Sequence, residues 1–320
     1  VNKVKLVVQI SCLNEEKTLP AVLDSIPKKI NGIDDIEVLV IDDGCTDNTV
    51  AVAKQHGVKQ FIYHANNKGL ASGFRDGLHR SLELGADIIV HTDGDNQYPQ
   101  SMIGELVRPI LDGRADLVIA DRQVQSIKHF SPTKKFFQSF GTRVLNAAAG
   151  TKVPDAPSGF RAYSRDAAMR LNVVTRFSYA METIIQAGNK GMAIVSVPIK
   201  TNPKTRESRL FKSNWQHMRK SGSAIVRAYI MYKPYVIFIS LGVFLLMLGL
   251  VPFARWLYFE HFDRVHGLRH IQSLLAGCVL LIASFISFTL GIVADLIRIN
   301  RVLIEENLEH VKHTRFDKAD

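Results

Sequence analysis

Ile88-Ile89-Val90-His91-Thr92-Asp93-Gly94-Asp95-Asn96-Gln97 is the stretch that decides the fold. A short apolar run that stops abruptly in acidic, glycine and amide residues reads as a buried strand delivering polar groups to its carboxyl end. Working outward, similar apolar runs lie at Val4–Ile10, Ile36–Ile41, Gln60–Tyr63 and Leu117–Ile119. Helical patterns at Lys17–Ile26, Thr46–His56 and Leu70–Leu84 separate the first four strands. Strand and helix alternating at these lengths predict an α/β domain with a mostly parallel sheet. In such sheets ligands bind beyond the carboxyl ends of the strands, so those ends carry the chemistry.

The ends share a character. Asn14-Glu15-Glu16 follows the first strand, Asp42-Asp43-Gly44-Cys45-Thr46-Asp47 the second, and Asp93-Gly94-Asp95 the fourth. One such end is ordinarily helix capping or a turn, as Thr46 and Asp47 illustrate. Three on one rim crowd carboxylates together, which calls for a cation or donor groups among them. Asp93 and Asp95 can turn toward a hard divalent ion, Mg²⁺ or Mn²⁺, and Gln97 can add an amide oxygen. Gly69, Gly73 and Gly77 repeat along one face of the third helix, which suits close packing on the sheet. Lys68, at that helix's start, can reach a phosphate.

The rest of the chain changes character. The hydrophobic fraction, 47%, averages over a mixed region and two uncharged segments, Pro234–Ala254 and Ile271–Ala294. Each matches the roughly 20 residues that span a bilayer core. Tyr229, Tyr232, Tyr235, Trp256 and Tyr258 flank the first, where aromatic rings favour the interface. The net charge of +10 is concentrated between Lys200 and Lys233, directly before that segment. A juxtamembrane basic cluster points to anionic lipid, and the lack of interleaved aromatics argues against a nucleic-acid partner. The connection Arg255–His270 holds three Arg against Glu260 and Asp263, so the charge asymmetry puts both ends of the chain in the cytoplasm. Apolar and basic residues at helical spacing over Leu210–Met231 predict an amphipathic helix on the membrane surface. Cys12, Cys45 and Cys278 have neither disulfide-framework nor metal spacing, which fits a reducing compartment. Val4–Ile10 is too short for a signal peptide.

These residues, in order, resemble the family 2 glycosyltransferases of GT-A fold. The resemblance runs through Asn14-Glu15, Asp42-Asp43-Gly44 with Asp47, Asn67-Lys68-Gly69, and Asp93-X-Asp95-X-Gln97 with Pro99. Asp155-Ala156-Pro157-Ser158-Gly159-Phe160-Arg161 and Arg206-Glu207-Ser208-Arg209 resemble motifs of the polyprenyl- and dolichyl-phosphate branch, as do two C-terminal spans. Ser11 and Cys45 depart from the family's usual Pro and Ser, on the nucleotide side. The organisation this implies is a GT-A catalytic domain (Rossmann-like, mostly parallel sheet) over residues 1–205 and an amphipathic interface segment over 206–233. A transmembrane hairpin then occupies 234–297, with helices at about 234–254 and 271–295, and a cytoplasmic tail helix 298–320.

The resemblance also implies roles. Ser11, Asn14, Glu15, Asp42 and Asp43 would line the base and ribose pocket of a UDP- or GDP-sugar, with Lys68 and Asp93 near its phosphates. Asp95 and Gln97, with Asp93, would be metal ligands. Arg122, Ser158, Arg161, Arg206 and Arg209 would hold an acceptor polyprenyl phosphate, since Arg matches phosphate bidentately. Asp155 is the family-matched base if one is used. Glu182 is either a donor-sugar contact or a helix-surface residue. Transfer to another membrane acceptor, such as diacylglycerol or a lipid-diphosphate sugar, is the alternative reaction, and a non-catalytic nucleotide-sugar-binding protein the alternative class. Packing of the tail Ile299–Lys312 between protomers of a homo-oligomer is left open.

Overall fold

The computed structural model describes residues 3–123, 132–174, 179–203, 233–262 and 271–316. It divides into two compact units, Val1–Ala228 with Glu305–Asp320, and Tyr229–Ile304. The first is built on seven strands: β1 (Lys5–Cys12), β2 (Asp35–Asp42), β3 (Gln60–Tyr63), β4 (Ile88–Asp93), β5 (Leu117–Asp121), β6 (Arg161–Ser164) and β7 (Ile194–Pro198). Helices α1 (Leu19–Ser25), α2 (Thr49–Gln55), α3 (Leu70–Glu83), α4 (Ile103–Leu111), α5 (Pro132–Ala149), α6 (Arg165–Arg170) and α7 (Tyr179–Asn189) connect them. Spatial order is β3-β2-β1-β4-β6-β5-β7. Every pairing is parallel except those of β6, which runs against both β4 and β5.

The apolar runs form this sheet because each is covered on both faces; Leu6 to Val8, Leu39 to Ile41 and Leu117 to Ala120 are fully buried. Register then lines up the chemistry. Cys12 pairs with Asp42 and Asp42 with Tyr63, while Ser11 pairs with Asp93, so the ends of β1 to β4 form one rim. The reversed β6 brings its preceding loop, residues 155–160, to the same rim as the end of β5. Sequence reasoning had no strand at Arg161–Ser164 or Ile194–Pro198.

On the face carrying α3, the predicted glycine packing holds for two positions. A Cβ on Gly77 would meet Ile41 Cδ1 at 2.6 Å and collide with Gln9 Oε1, and one on Gly73 would lie 3.3 Å from Ile41 Cγ2. Gly69 serves otherwise: its φ of +89° makes the turn into α3.

The second unit contains α8 (Pro234–Phe262) and most of α9 (Ile271–Phe316), both long and apolar enough to cross a membrane. Their contact uses small residues. A Cβ on Gly277 would lie 3.1 Å from Phe253 N and 3.2 Å from the Gly249 carbonyl, and Ser284 and Ser287 donate to the carbonyls of Gly242 and Phe238 at 2.8 Å. Large apolar side chains such as Phe244, Met247 and Phe285 point outward. α8 continues through Phe262, beyond the expected end near 254, so Arg255–Phe262 is helix rather than connecting loop. α9 is likewise unbroken to Phe316. The sequence-predicted interface helix over 206–233 lies outside the described residues except for Lys233.

The end of α9 packs on its own chain's catalytic unit. Glu309 bridges Arg170 (3.3 Å) and Lys190 (3.0 Å), Lys312 Nζ donates to the Leu171 carbonyl at 2.7 Å, and Phe316 is buried.

Candidate active site

The rim beside β1 and β2 is a closed lattice of hydrogen bonds. Asp43 Oδ1 lies 2.8 Å from His64 Nδ1 and accepts from Lys68 N at 2.9 Å; Oδ2 accepts from Gly69 N at 3.0 Å. The carboxylate therefore ties β2 to the N-terminus of α3, where orphan backbone N–H groups need acceptors. His64 is held on its other side by Asp76 at 3.1 Å. Asp42 Oδ1 accepts from Cys45 N at 2.7 Å, and Asn14, in the left-handed region at φ 58°, accepts from Thr46 N at 2.7 Å. Glu15 is buried, its carboxylate taking the Thr18 hydroxyl at 2.7 Å, while that hydroxyl also lies 2.8 Å from the Gly94 carbonyl. The β1 and β4 loops are thus stitched together. Ser11 Oγ is buried and has no hydrogen-bond partner among the described residues. The Lys68 side chain is exposed.

At the end of β4 the carboxylates are more open. The Asp93 side chain is 30% exposed, and Asp95 Oδ1 accepts from Gln97 N at 3.1 Å, in a turn that puts Asn96 at φ 58°. Asn202 holds this turn, its side-chain amide donating to the Asn96 carbonyl at 3.0 Å and its N–H to the Gln97 carbonyl at 3.0 Å. Among the described residues no three His, Cys, Asp or Glu converge as a metal cage. Two part-exposed carboxylates fit a hard cation that completes its shell with waters and substrate phosphates. Asp93 and Asp95 are the residues that would hold it, with Gln97 beside them.

Facing β4, Gly159 is enclosed. Tyr98 Oη accepts from its N–H at 2.9 Å, and Tyr179 Oη donates to its carbonyl at 3.3 Å. A Cβ here would lie 2.9 Å from Tyr179 Oη and 3.3 Å from Asp93 Oδ2, so only glycine lets the β6 loop approach the carboxylate. Burial raises the pKa of both tyrosines and keeps them protonated.

The two arginines of this side part company. Arg122 Nε and Nη2 donate to Asp155 Oδ2 and Oδ1 at 2.7 and 2.9 Å, and Arg122 N also donates to Oδ2 at 3.1 Å. Burial disfavours its charge, but Tyr98 and Asp155 outweigh that and raise its pKa. Asp155 is 1% exposed and Arg122 19%, so the acid anchors the base from below. Both oxygens of Asp155, the family-matched base, are engaged by Arg122 in this arrangement. Arg161 is 0% exposed and donates to the carbonyls of Ser158 (2.8 Å), Ala180 (2.8 Å) and Ala156 (2.7 Å) and to Thr183 Oγ1 (2.8 Å). It shapes the loop before β6 from within. Ser158 is buried beside it.

Glu182 is buried on α7, which removes the helix-surface alternative; both its oxygens lie 3.3 Å from Val174 N. Arg206 and Arg209 lie outside the described residues. Sequence reasoning missed Tyr98, Tyr179 and Asn202 as parts of the rim, and held Gly159 only within the motif Asp155–Arg161. Tyr98, between Gln97 and Pro99 in a polar turn yet buried, was the one with a usable signal.

Comparison with known proteins agrees with this architecture. Residues 7–171 match the model of glycosyl transferase family 2. The UDP-N-acetylglucosamine–dolichyl-phosphate N-acetylglucosaminyltransferase of Methanococcus voltae is 30% identical over 213 residues, covering 60% of this chain and 83% of that protein. The polyprenol monophosphomannose synthase of Mycolicibacterium smegmatis is 23% identical over 206 residues, covering 61% and 76%. The structure of glucosyl-3-phosphoglycerate synthase from Mycobacterium tuberculosis, in complex with Mn²⁺, UDP and glucosyl-3-phosphoglycerate, shares the fold at a TM-score of 0.53 and 22% identity, covering 71% and 78%. The acidic strand ends, the mixed seven-stranded sheet and these matches lead to one assignment: the chain belongs to glycosyl transferase family 2 and is a nucleotide-sugar glycosyltransferase.

Proposed function

We propose that this enzyme transfers a sugar from a UDP- or GDP-sugar to a polyprenyl or dolichyl phosphate, at the cytoplasmic face of a membrane entered by α8 and α9. The observation that carries the acceptor class is the Arg122–Asp155 pair. A hydroxyl acceptor needs a base, and here the family-matched carboxylate is engaged by a guanidinium. A phosphate monoester is already anionic at neutral pH and needs a cation to hold it. Arg122 suits that task, because guanidinium carries five N–H donors and Asp155 engages only part of them. Relatives that act on dolichyl phosphate or make polyprenol monophosphomannose support the same acceptor.

In this reading Asp42, Asn14, Glu15 and Ser11 line the base and ribose pocket. Asp43 positions Lys68 through its backbone N–H and leaves that exposed side chain near the donor phosphates. Asp93, Asp95 and Gln97 would hold Mg²⁺ or Mn²⁺, an ion that would neutralise charge on the departing diphosphate. A phosphate oxygen of the acceptor attacks the anomeric carbon, the bond to the diphosphate breaks, and the centre inverts. Arg122 orients the nucleophile, with Ser158, Arg206 and Arg209 as further acceptor-side residues and Glu182 beside the sugar. Arg161 keeps the loop in shape.

The test is incubation with Mg²⁺ or Mn²⁺, a short-chain polyprenyl phosphate and a panel of UDP- and GDP-sugars, following nucleoside diphosphate release. Lipid-dependent release with one donor, lost in Asp95→Ala, is expected. Release only with a diacylglycerol or lipid-diphosphate sugar would replace this acceptor, and binding of nucleotide without any release would refute the transferase reading.

A further inference from the structure

Behind Asp93 lies a histidine that the transfer reaction leaves without a task. His91 precedes Asp93 by two residues on β4, on the same face of the sheet, and is 0% exposed. Phe74 and Tyr179 enclose its ring edge-on, with centroids 5.1 and 4.9 Å away. Its Nδ1 lies 3.1 Å from Gln9 Nε2 on neighbouring β1. Its Nε2 lies 3.9 Å from Asp93 Oδ1 and has no hydrogen-bond partner among the described residues.

Chemistry selects the tautomer. With the Gln9 amide donating to Nδ1, Nε2 carries the hydrogen and faces a carboxylate. The reverse arrangement would turn a lone pair toward that carboxylate. It would also put the Gln9 NH₂ where Oε1 now lies beside Gly77, buried and without a hydrogen-bond partner among the described residues.

A separation of 3.9 Å is too long for a hydrogen bond, but contacts of this kind commonly tighten when substrate binds. We propose that His91 is a positioning residue for Asp93, closing its Nε2–H onto Oδ1 when donor binds and so holding Oδ2 toward Gly159 and the rim. Gly159 supports this: a Cβ there would stand 3.3 Å from Oδ2, so the loop before β6 approaches one carboxylate oxygen while His91 faces the other. The inference rests on the proposed donor-site role of Asp93.

The test uses full-length protein with ¹⁵N-labelled imidazoles, probed with UDP and with GDP, each with Mg²⁺. His91 resonances, identified by their loss in His91→Gln, are expected to show protonated Nε2 and bare Nδ1, with Nε2 shifting when one nucleotide binds. The opposite tautomer, or an Nε2 unmoved by a nucleotide that binds, overturns the proposal. In turnover, His91→Met, similar in bulk but without N–H, should lose about 10- to 100-fold in kcat with donor KM within about 3-fold. His91→Gln, which restores an N–H, should recover to within about 3-fold of wild type. Equal losses in both variants, with Asp93→Asn inactive, overturn the role of His91 alone. Wild-type kcat in Asp93→Asn instead overturns the reading of Asp93 on which it depends.

Discussion

The two halves of the rim use the same residue types for different ends. Beside β1 and β2, acidic and amide side chains build the loops: Asp43 takes a ring nitrogen and two backbone N–H groups, and Asn14 takes Thr46. Beside β4, Asp93 keeps 30% of its side chain exposed and faces a glycine that lets the opposite loop approach. The two arginines repeat the contrast, Arg161 sealed under its loop and Arg122 braced by Asp155 at the rim. An acidic cluster in sequence is therefore two things at once, a scaffold that consumes its hydrogen-bonding capacity and a binding edge held by that scaffold.

Substitutions can separate the halves. The largest effect is expected at the open edge: Asp95→Ala should lower kcat/KM by about 10³-fold, roughly 4 kcal/mol, with little change in melting temperature. A melting shift as large as the kinetic loss would show that Asp95 belongs to the scaffold instead. Arg161→Met should do the opposite, costing about 3 kcal/mol or more of stability by stripping donors from three buried carbonyls and a hydroxyl. Chemical denaturation measures it, and an unchanged midpoint with lost acceptor affinity would restore Arg161 to the phosphate site. Asp43→Asn should cost about 1–2 kcal/mol and weaken donor binding only through the loop at Lys68.

The smallest effect per step is a pH slope. His91 titrates near the ordinary 6.5 when unfolded but at about 3 when folded. The unfolded chain therefore binds the extra proton first, and stability falls as pH drops between those values, by up to about 1.4 kcal/mol per unit. His91→Met should flatten that part of the acid limb; an unchanged slope would assign it to other groups.

Much of this was legible in the sequence, for physical reasons. β1, β2 and β4 are parallel strands buried on both faces, so they appear as continuous β-branched runs whose ends announce the rim. β6 was invisible because four residues, Arg161-Ala162-Tyr163-Ser164, carry no apolar run, although the sheet buries them between β4 and β5. The same gap hid the burial of Arg161, a residue type that suits phosphate. The two long apolar helices were found from composition. The segment expected beyond 297 as a tail helix belongs to the same continuous helix α9, whose end is polar toward Arg170 and Lys190.

The most direct test of the central claim is the mass of the product. Purified enzyme, polyprenyl phosphate, the donor panel and Mg²⁺ are combined, and the lipid fraction is analysed by mass spectrometry for wild type and Asp93→Asn. The account predicts a lipid phosphate heavier by one sugar residue, formed by wild type and lost in the variant. Equal product in both, or sugar appearing only on a lipid without a phosphate acceptor, would contradict it.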